Sequence, residues 1–170
     1  MFLSEQRLCP VSIGAARARM AELVQRGWLG TASVAAYQDG IDRLLWAWPP
    51  DGVPAPRLVQ THFLDPVHSG DVTVMGIRWQ ATGVSGPPFP ALDADITLTA
   101  EGSQHTRVTL TGVYRSPLGT LSGGLDRALL HQAATATADS LLTHMSRTLQ
   151  ATTSSPGAPK ARETGPETAP

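Results

Sequence analysis

Leu92-Asp93-Ala94-Asp95-Ile96-Thr97-Leu98-Thr99 alternates apolar and polar residues without a break. A period of two is the signature of a strand with one face on a core and the other in water. Leu92, Ala94, Ile96 and Leu98 are expected to point inward, and Asp93, Asp95, Thr97 and Thr99 outward. The next strand, 106–115, repeats the pattern with Val108, Leu110, Gly112 and Tyr114 inside and Arg107, Thr109 and Thr111 outside. The preceding one, 72–82, places Met75, Ile77, Trp79 and Ala81 inside and Arg78 and Gln80 outside. Short links, a Gly/Pro-rich loop at 83–88 and a turn at Glu101-Gly102, favour antiparallel neighbours. Pairing Trp79 with Ala94 would set Arg78 opposite Asp95 and Gln80 opposite Asp93. Such an exposed cross-strand ion pair is worth about 0.2–1 kcal/mol and acts as a register device.

Outward from this meander, residues 2–9 are expected as a first strand. Ser12 can cap a helix over 12–25, whose apolar face is Ile13, Ala16, Met20, Leu23 and Val24 and which Gly27 ends. A second short helix is expected over 31–38, closed by Asp39-Gly40. Leu44-Leu45-Trp46-Ala47-Trp48 reads as a strand stopped by Pro49-Pro50, and 57–64 as another stopped by Asp65-Pro66. The final helix spans 121–149, starting fully after Gly123-Gly124. Its stripe is Leu130, Ala134, Thr137, Ala138, Leu141, Leu142, Met145 and Leu149. The predicted class is α+β over residues 1–150: a curved antiparallel sheet of about six strands wrapped around a long C-terminal helix, with two short helices after the first strand. Residues 151–170, rich in Pro, Thr, Ser, Ala and Gly, cannot bury enough apolar area to offset their ordering entropy and are expected to be a disordered tail.

Composition excludes several functions. The 170 residues carry a net charge of −1, which gives no electrostatic footprint for nucleic acid or an anionic membrane. No apolar run approaches the roughly 20 residues that span a bilayer. The single cysteine, Cys9, cannot form an internal disulfide, and no leader-like segment opens the chain, so a soluble cytoplasmic protein is expected. The only lysine, Lys160, lies in the tail, which removes Schiff-base chemistry from the body.

The search for catalytic patterns returns little. His62, His68, His105, His131 and His144 show no i,i+4 pair and no CxxC accompanies them, so neither a metal site nor a cofactor is expected. Ser122-Gly123-Gly124 is not a phosphate loop, and no GxSxG occurs. Cys9 before Pro10 reads as a packed thiol. Asp93 and Asp95 share a strand face and could perturb one another's pKa, but their outward parity favours a solvated, arginine-paired edge. No catalytic residue is assigned.

The runs Arg78-Trp79-Gln80-Ala81-Thr82-Gly83, Phe89-Pro90-Ala91-Leu92-Asp93-Ala94-Asp95-Ile96-Thr97-Leu98-Thr99, Gly112-Val113-Tyr114-Arg115-Ser116-Pro117-Leu118-Gly119 and Leu125-Asp126-Arg127-Ala128-Leu129-Leu130-His131 resemble actinobacterial members of the SRPBCC superfamily. This is the START, pollen-allergen and polyketide cyclase-like group. Element order extends the likeness over 1–149, with its strongest part at 71–149. The resemblance implies a helix-grip fold whose sheet and helix enclose a cavity for lipids, hormones, polyketides or other apolar molecules. It carries no invariant catalytic set onto these positions.

Candidate cavity residues are Trp46, His62, Phe63, Ile77, Trp79, Ala94, Ile96, Leu110, Tyr114, Leu130, Ala134, Ala138 and Leu141. Ordinary core is the plain reading of any one of them; the aromatics together with a helix of small residues point to an internal space. His62, Tyr114 or Arg127 would orient the ligand. The leading expectation is a non-catalytic binder or carrier of a small apolar molecule. Two others stand beside it: a polyketide cyclase- or dehydratase-like enzyme using a cavity acid or base, and a structural or interaction module using a sheet edge or the tail. Ligand identity and oligomeric state are not fixed by the sequence.

Overall fold

A computed structural model describes residues 1–47, 58–82, 91–115 and 124–151. In chain order the elements are β1 (Phe2–Cys9), α1 (Ile13–Gln25), α2 (Trp28–Ala47), β2 (Leu58–Phe63), β3 (Val67–Ser69), β4 (Val72–Thr82), β5 (Ala91–Ala100), β6 (Thr106–Arg115) and α3 (Gly124–Gln150). The sheet is antiparallel with order β1-β6-β5-β4-β2, and β3 lies beside the start of β4.

The alternation assigns the faces correctly. Leu92, Ala94, Ile96, Leu98, Val108, Leu110, Gly112, Tyr114, Met75, Ile77 and Trp79 are all buried, and Asp95, Arg78 and Gln80 are exposed. The register is two residues away from the one expected. Trp79 pairs with Leu92, Ile77 with Ala94 and Arg78 with Asp93. A shift of two keeps every side chain on its face, so parity cannot detect it. In the observed register Asp93 serves two partners, Arg78 at 3.1 Å and Arg115 at 2.8 Å.

The helical region departs further from expectation. α1 begins as its sequence requires, with Ser12 Oγ accepting from the Ala15 amide and Ala16, Met20 and Leu23 buried. Gly27, at φ +67°, supplies the left-handed turn after it. α2 then runs through Asp39-Gly40 and absorbs the segment expected as a strand at 44–48; its last residue is Ala47, and Trp48 lies outside the described residues. Gly40 is a crossing point rather than a stop. A Cβ there would overlap the Thr137 hydroxyl of α3 and lie 2.9 Å from the Ala133 carbonyl oxygen. Tertiary approach, not turn chemistry, accounts for this glycine.

β3 is an addition to the expected set, because Asp65-Pro66 reads as a strand stop. Pairing breaks there and resumes one residue out of step: Phe63 pairs with Ile77, and Val67 with Val74. Arg17 of α1 pins this corner, donating from Nε to Thr73 Oγ1 at 2.8 Å and from Nη2 to the Val72 carbonyl at 3.3 Å.

The α3 stripe is buried as expected at Ala134, Thr137, Ala138, Leu141, Leu142, Met145 and Leu149. Its large residues fill one end of the interior together with Cys9, whose Sγ donates to Ser146 Oγ at 3.3 Å. Arg19 donates to the Leu149 carbonyl, satisfying one orphan acceptor of the last turn. α3 packs on β1 and β6, whereas α2 lies against α3 and reaches β2. The architecture is a helix-grip. Residues 152–170, expected as a tail, lie outside the described residues, as do 121–123 of the final helix.

Candidate functional site

The two ends of the interior differ in chemistry. At the end filled by Leu141, Leu142, Met145 and Leu149 the packing is aliphatic. At the other end the inner face carries a row of four residues across four strands. Thr61 pairs with Trp79, Trp79 with Leu92, and Leu92 with Tyr114. The next row is Phe63, Ile77, Ala94 and Gly112. A Cβ on Gly112 would lie 2.6 Å from the Asp93 carbonyl oxygen, so β5 and β6 approach there more closely than a side chain allows.

α2 meets Trp79 through Ser33. Leu29, Ala32, Ser33, Ala36, Tyr37 and Gly40 form one buried face of α2. Ser33 Oγ accepts from Trp79 Nε1 at 3.0 Å, with both residues buried. One turn on, Tyr37 is 6% exposed and Tyr114 is 7% exposed. Burial pushes both phenols well above the usual tyrosine range, and the neighbouring Tyr37 adds to the effect on Tyr114. Among the described residues the Tyr37 hydroxyl has no hydrogen-bond partner, and neither has Thr61 Oγ1; both atoms are buried. An unpaired buried hydroxyl costs roughly 1–3 kcal/mol. Two such atoms flank one Trp79–Ser33 bond.

The structure brings together most of the residues picked out by sequence. Ile77, Trp79, Ala94, Ile96, Leu110, Tyr114, Ala134, Ala138 and Leu141 share one buried cluster, and Phe63 packs half-buried against it. His62 is not brought in: it is exposed and pairs with exposed Arg78 on the outer face. Trp46 sits on α2 rather than on a strand, and Leu130 and Arg127 on α3; their side chains lie outside the described residues. Tyr37 and Ser33 are the site residues that sequence reasoning misses. Their signal is present, because Leu29, Ala32, Ser33, Ala36, Tyr37 and Gly40 recur at three- and four-residue steps. Reading Asp39-Gly40 as a stop hides it.

The chemistry available at this end is hydrogen-bond donation. The buried polar side chains among the described residues are Ser33, Thr73, Thr106, Thr137 and Ser146, all hydroxyls, beside the two phenols. A phenol with a raised pKa stays protonated and donates; it is a poor base at neutral pH. Among the described residues no three His, Cys, Asp or Glu side chains gather where they could hold a metal ion. None of the described helices is long and apolar enough to cross a membrane.

Alkaline titration reads these phenols directly, because Tyr37 and Tyr114 are the only two tyrosines of the chain. Above about pH 10 an unfolded tyrosine releases its proton while the buried one keeps it. The unfolded state then binds fewer protons, so stability falls as pH rises. The slope approaches about 1.4 kcal/mol per pH unit for each phenol until its folded-state pKa is reached. Tyrosinate absorbance is therefore expected to appear in one cooperative step with unfolding. A gradual rise at the ordinary tyrosine pKa, with the fold intact by circular dichroism, would place the phenols in solvent.

No protein-family model matches the chain, and no curated protein matches it. Solved structures with a similar course include a protein from Thermus thermophilus, at 15% identity and TM-score 0.42, covering 88% of this chain and 97% of the other. They also include the Zhui aromatase/cyclase from a Streptomyces species, at 14% identity and TM-score 0.39, covering 89% and 96%. A Rhizobium loti protein matches at 17% identity and TM-score 0.29, covering 81% and 96%.

Proposed function

We propose that this chain binds a small, largely apolar molecule between α2, the aromatic end of the sheet and the small-residue half of α3, without transforming it. The observation that carries the reading is the Tyr37 hydroxyl, buried and without a hydrogen-bond partner among the described residues. Phenylalanine would fill the same volume without the penalty. An acceptor oxygen on a ligand would remove the penalty and orient the molecule. Apolar contact with Trp79, Leu92, Ala94 and Tyr114 would supply affinity, at roughly 25 cal/mol per Å² before binding costs. Thr61 offers a second hydroxyl on the far side of Trp79. Binding is favoured over cyclase or dehydratase chemistry because the buried polar groups at this end are hydroxyls that stay protonated, with no carboxylate or imidazole among the described buried residues.

The test uses prodan, a naphthyl ketone whose carbonyl can accept from Tyr37. Saturable one-to-one binding with a blue-shifted emission is expected. Tyr37→Phe is expected to weaken it about tenfold, the loss of one net hydrogen bond of about 1.4 kcal/mol. The same substitution should stabilise the empty protein by about 1 kcal/mol, because the orphan hydroxyl is gone. Absence of saturable binding, together with no thermal shift from fatty acids, sterols or aromatic polyketides, would overturn the proposal.

A further inference from the structure

We infer that β1 pairs with the β1 of a second copy of this chain, antiparallel, across a two-fold axis at Gln6. β1 is an edge of the sheet that the described residues form. The Met1 nitrogen donates to the Tyr114 carbonyl at 2.6 Å, and the Tyr114 amide donates back to Met1 at 2.7 Å. Met1 and Tyr114 are thus a mutually bonded pair. The unbroken register from Phe2↔Val113 to Cys9↔Thr106 carries that alternation along the strand. Leu3, Glu5, Arg7 and Cys9 therefore spend their backbone groups on β6. Phe2, Ser4, Gln6 and Leu8 turn theirs to the open edge, a template for another strand.

Natural edges are blunted by proline, bulges, lysine or inward-pointing charges. β1 has no proline, bulge or lysine within its eight residues, FLSEQRLC; its inner-face charges, Glu5 and Arg7, are of opposite sign, and it exposes two large apolar side chains, Phe2 (64%) and Leu8 (55%). Phe2 adjoins exposed Val113 on the same outer face. On the inner face Glu5 takes part in none of the ion pairs among the described residues. Arg7 binds Asp139 through Nη2 and still leaves its side chain 39% exposed.

Two-fold self-pairing must set even residues against even ones, so the axis falls on a residue rather than between two. An axis at Glu5 sets Glu5 against its own copy, and like charges directly opposed are destabilising. An axis at Gln6 sets Glu5 against the second copy's Arg7, twice, at the close non-hydrogen-bonded positions. It also sets Ser4 against Leu8 and brings Phe2 diagonally onto Leu8, again twice, on the outer face. Charge complementarity selects this register, and Phe2 and Leu8 remain in diagonal reach of one another within it. The product is one sheet continuous through two copies.

Sedimentation equilibrium of the full chain is expected to give twice its 17.9 kDa mass. Gln6→Pro should return a monomer with an unchanged fold, because the lost amide points away from β6. Glu5→Arg, which gives up no ion pair among the described residues, should do the same by setting two arginines face to face. Gln6→Cys is expected to form a disulfide-linked dimer under mild oxidation, and Glu5→Cys is not. A monomeric wild-type chain at its highest soluble concentration overturns the inference. So does a dimer that survives both Gln6→Pro and Glu5→Arg, and so does efficient cross-linking at Glu5→Cys with none at Gln6→Cys.

Discussion

Trp79→Ala is expected to lower stability by about 3–5 kcal/mol, the usual cost of emptying a buried aromatic site. Trp79 is 2% exposed and is the largest fully buried side chain among the described residues. It fills the inner face of β4, and its indole N–H ties the sheet to α2 through Ser33. Truncation leaves a cavity and an orphaned, buried Ser33 hydroxyl as well. A domain of this size has a total of only about 5–15 kcal/mol to lose. Trp79→Phe separates the two contributions, since it keeps most of the volume and removes the donor; about 1–2 kcal/mol is expected. Urea unfolding followed by far-ultraviolet circular dichroism measures both. A loss below about 1 kcal/mol for Trp79→Ala would show that α2 does not pack on the sheet at this point.

Gly40→Val is expected to be the other severe substitution, at about 3 kcal/mol. In an exposed helix, glycine to alanine gains up to about 1 kcal/mol of helix propensity. At Gly40 the sign reverses. The new Cβ meets the Thr137 hydroxyl and, at 2.9 Å, the Ala133 carbonyl oxygen, which is backbone and cannot swing away. Even Gly40→Ala should therefore destabilise. Thr137→Ala should recover part of the loss and leave the part due to Ala133. A double-mutant cycle measures that coupling, and strict additivity would separate the two helices at this crossing. Because Tyr37 lies one turn before Gly40, forcing α2 from α3 should also disturb prodan binding.

Legibility follows the range of the interactions involved. The faces of β4, β5 and β6 are readable because alternation is a local property of each strand. The stripe of α3 and the cap of α1 are readable for the same reason. The register of β4 on β5 is not, since a two-residue slip leaves every face unchanged. The apolar neighbours of His62 suggest the interior, and its even position on β2 places it outside with Arg78. Tyr37 escapes notice because Asp39-Gly40 carries the chemistry of a stop, and only the approach of Thr137 reveals another use for that glycine.

The sequence by itself determined the α+β class, the inward residues of three central strands and the helix that closes the chain, because burial of one face writes a period of two or 3.6 directly into the residues. Only the tertiary structure decided that α2 continues to Ala47, that its Ser33 meets Trp79, and that Tyr37 is left beside Tyr114 without a partner among the described residues. Those outcomes depend on where distant segments come to lie, and spacing along one segment does not encode the distance to another.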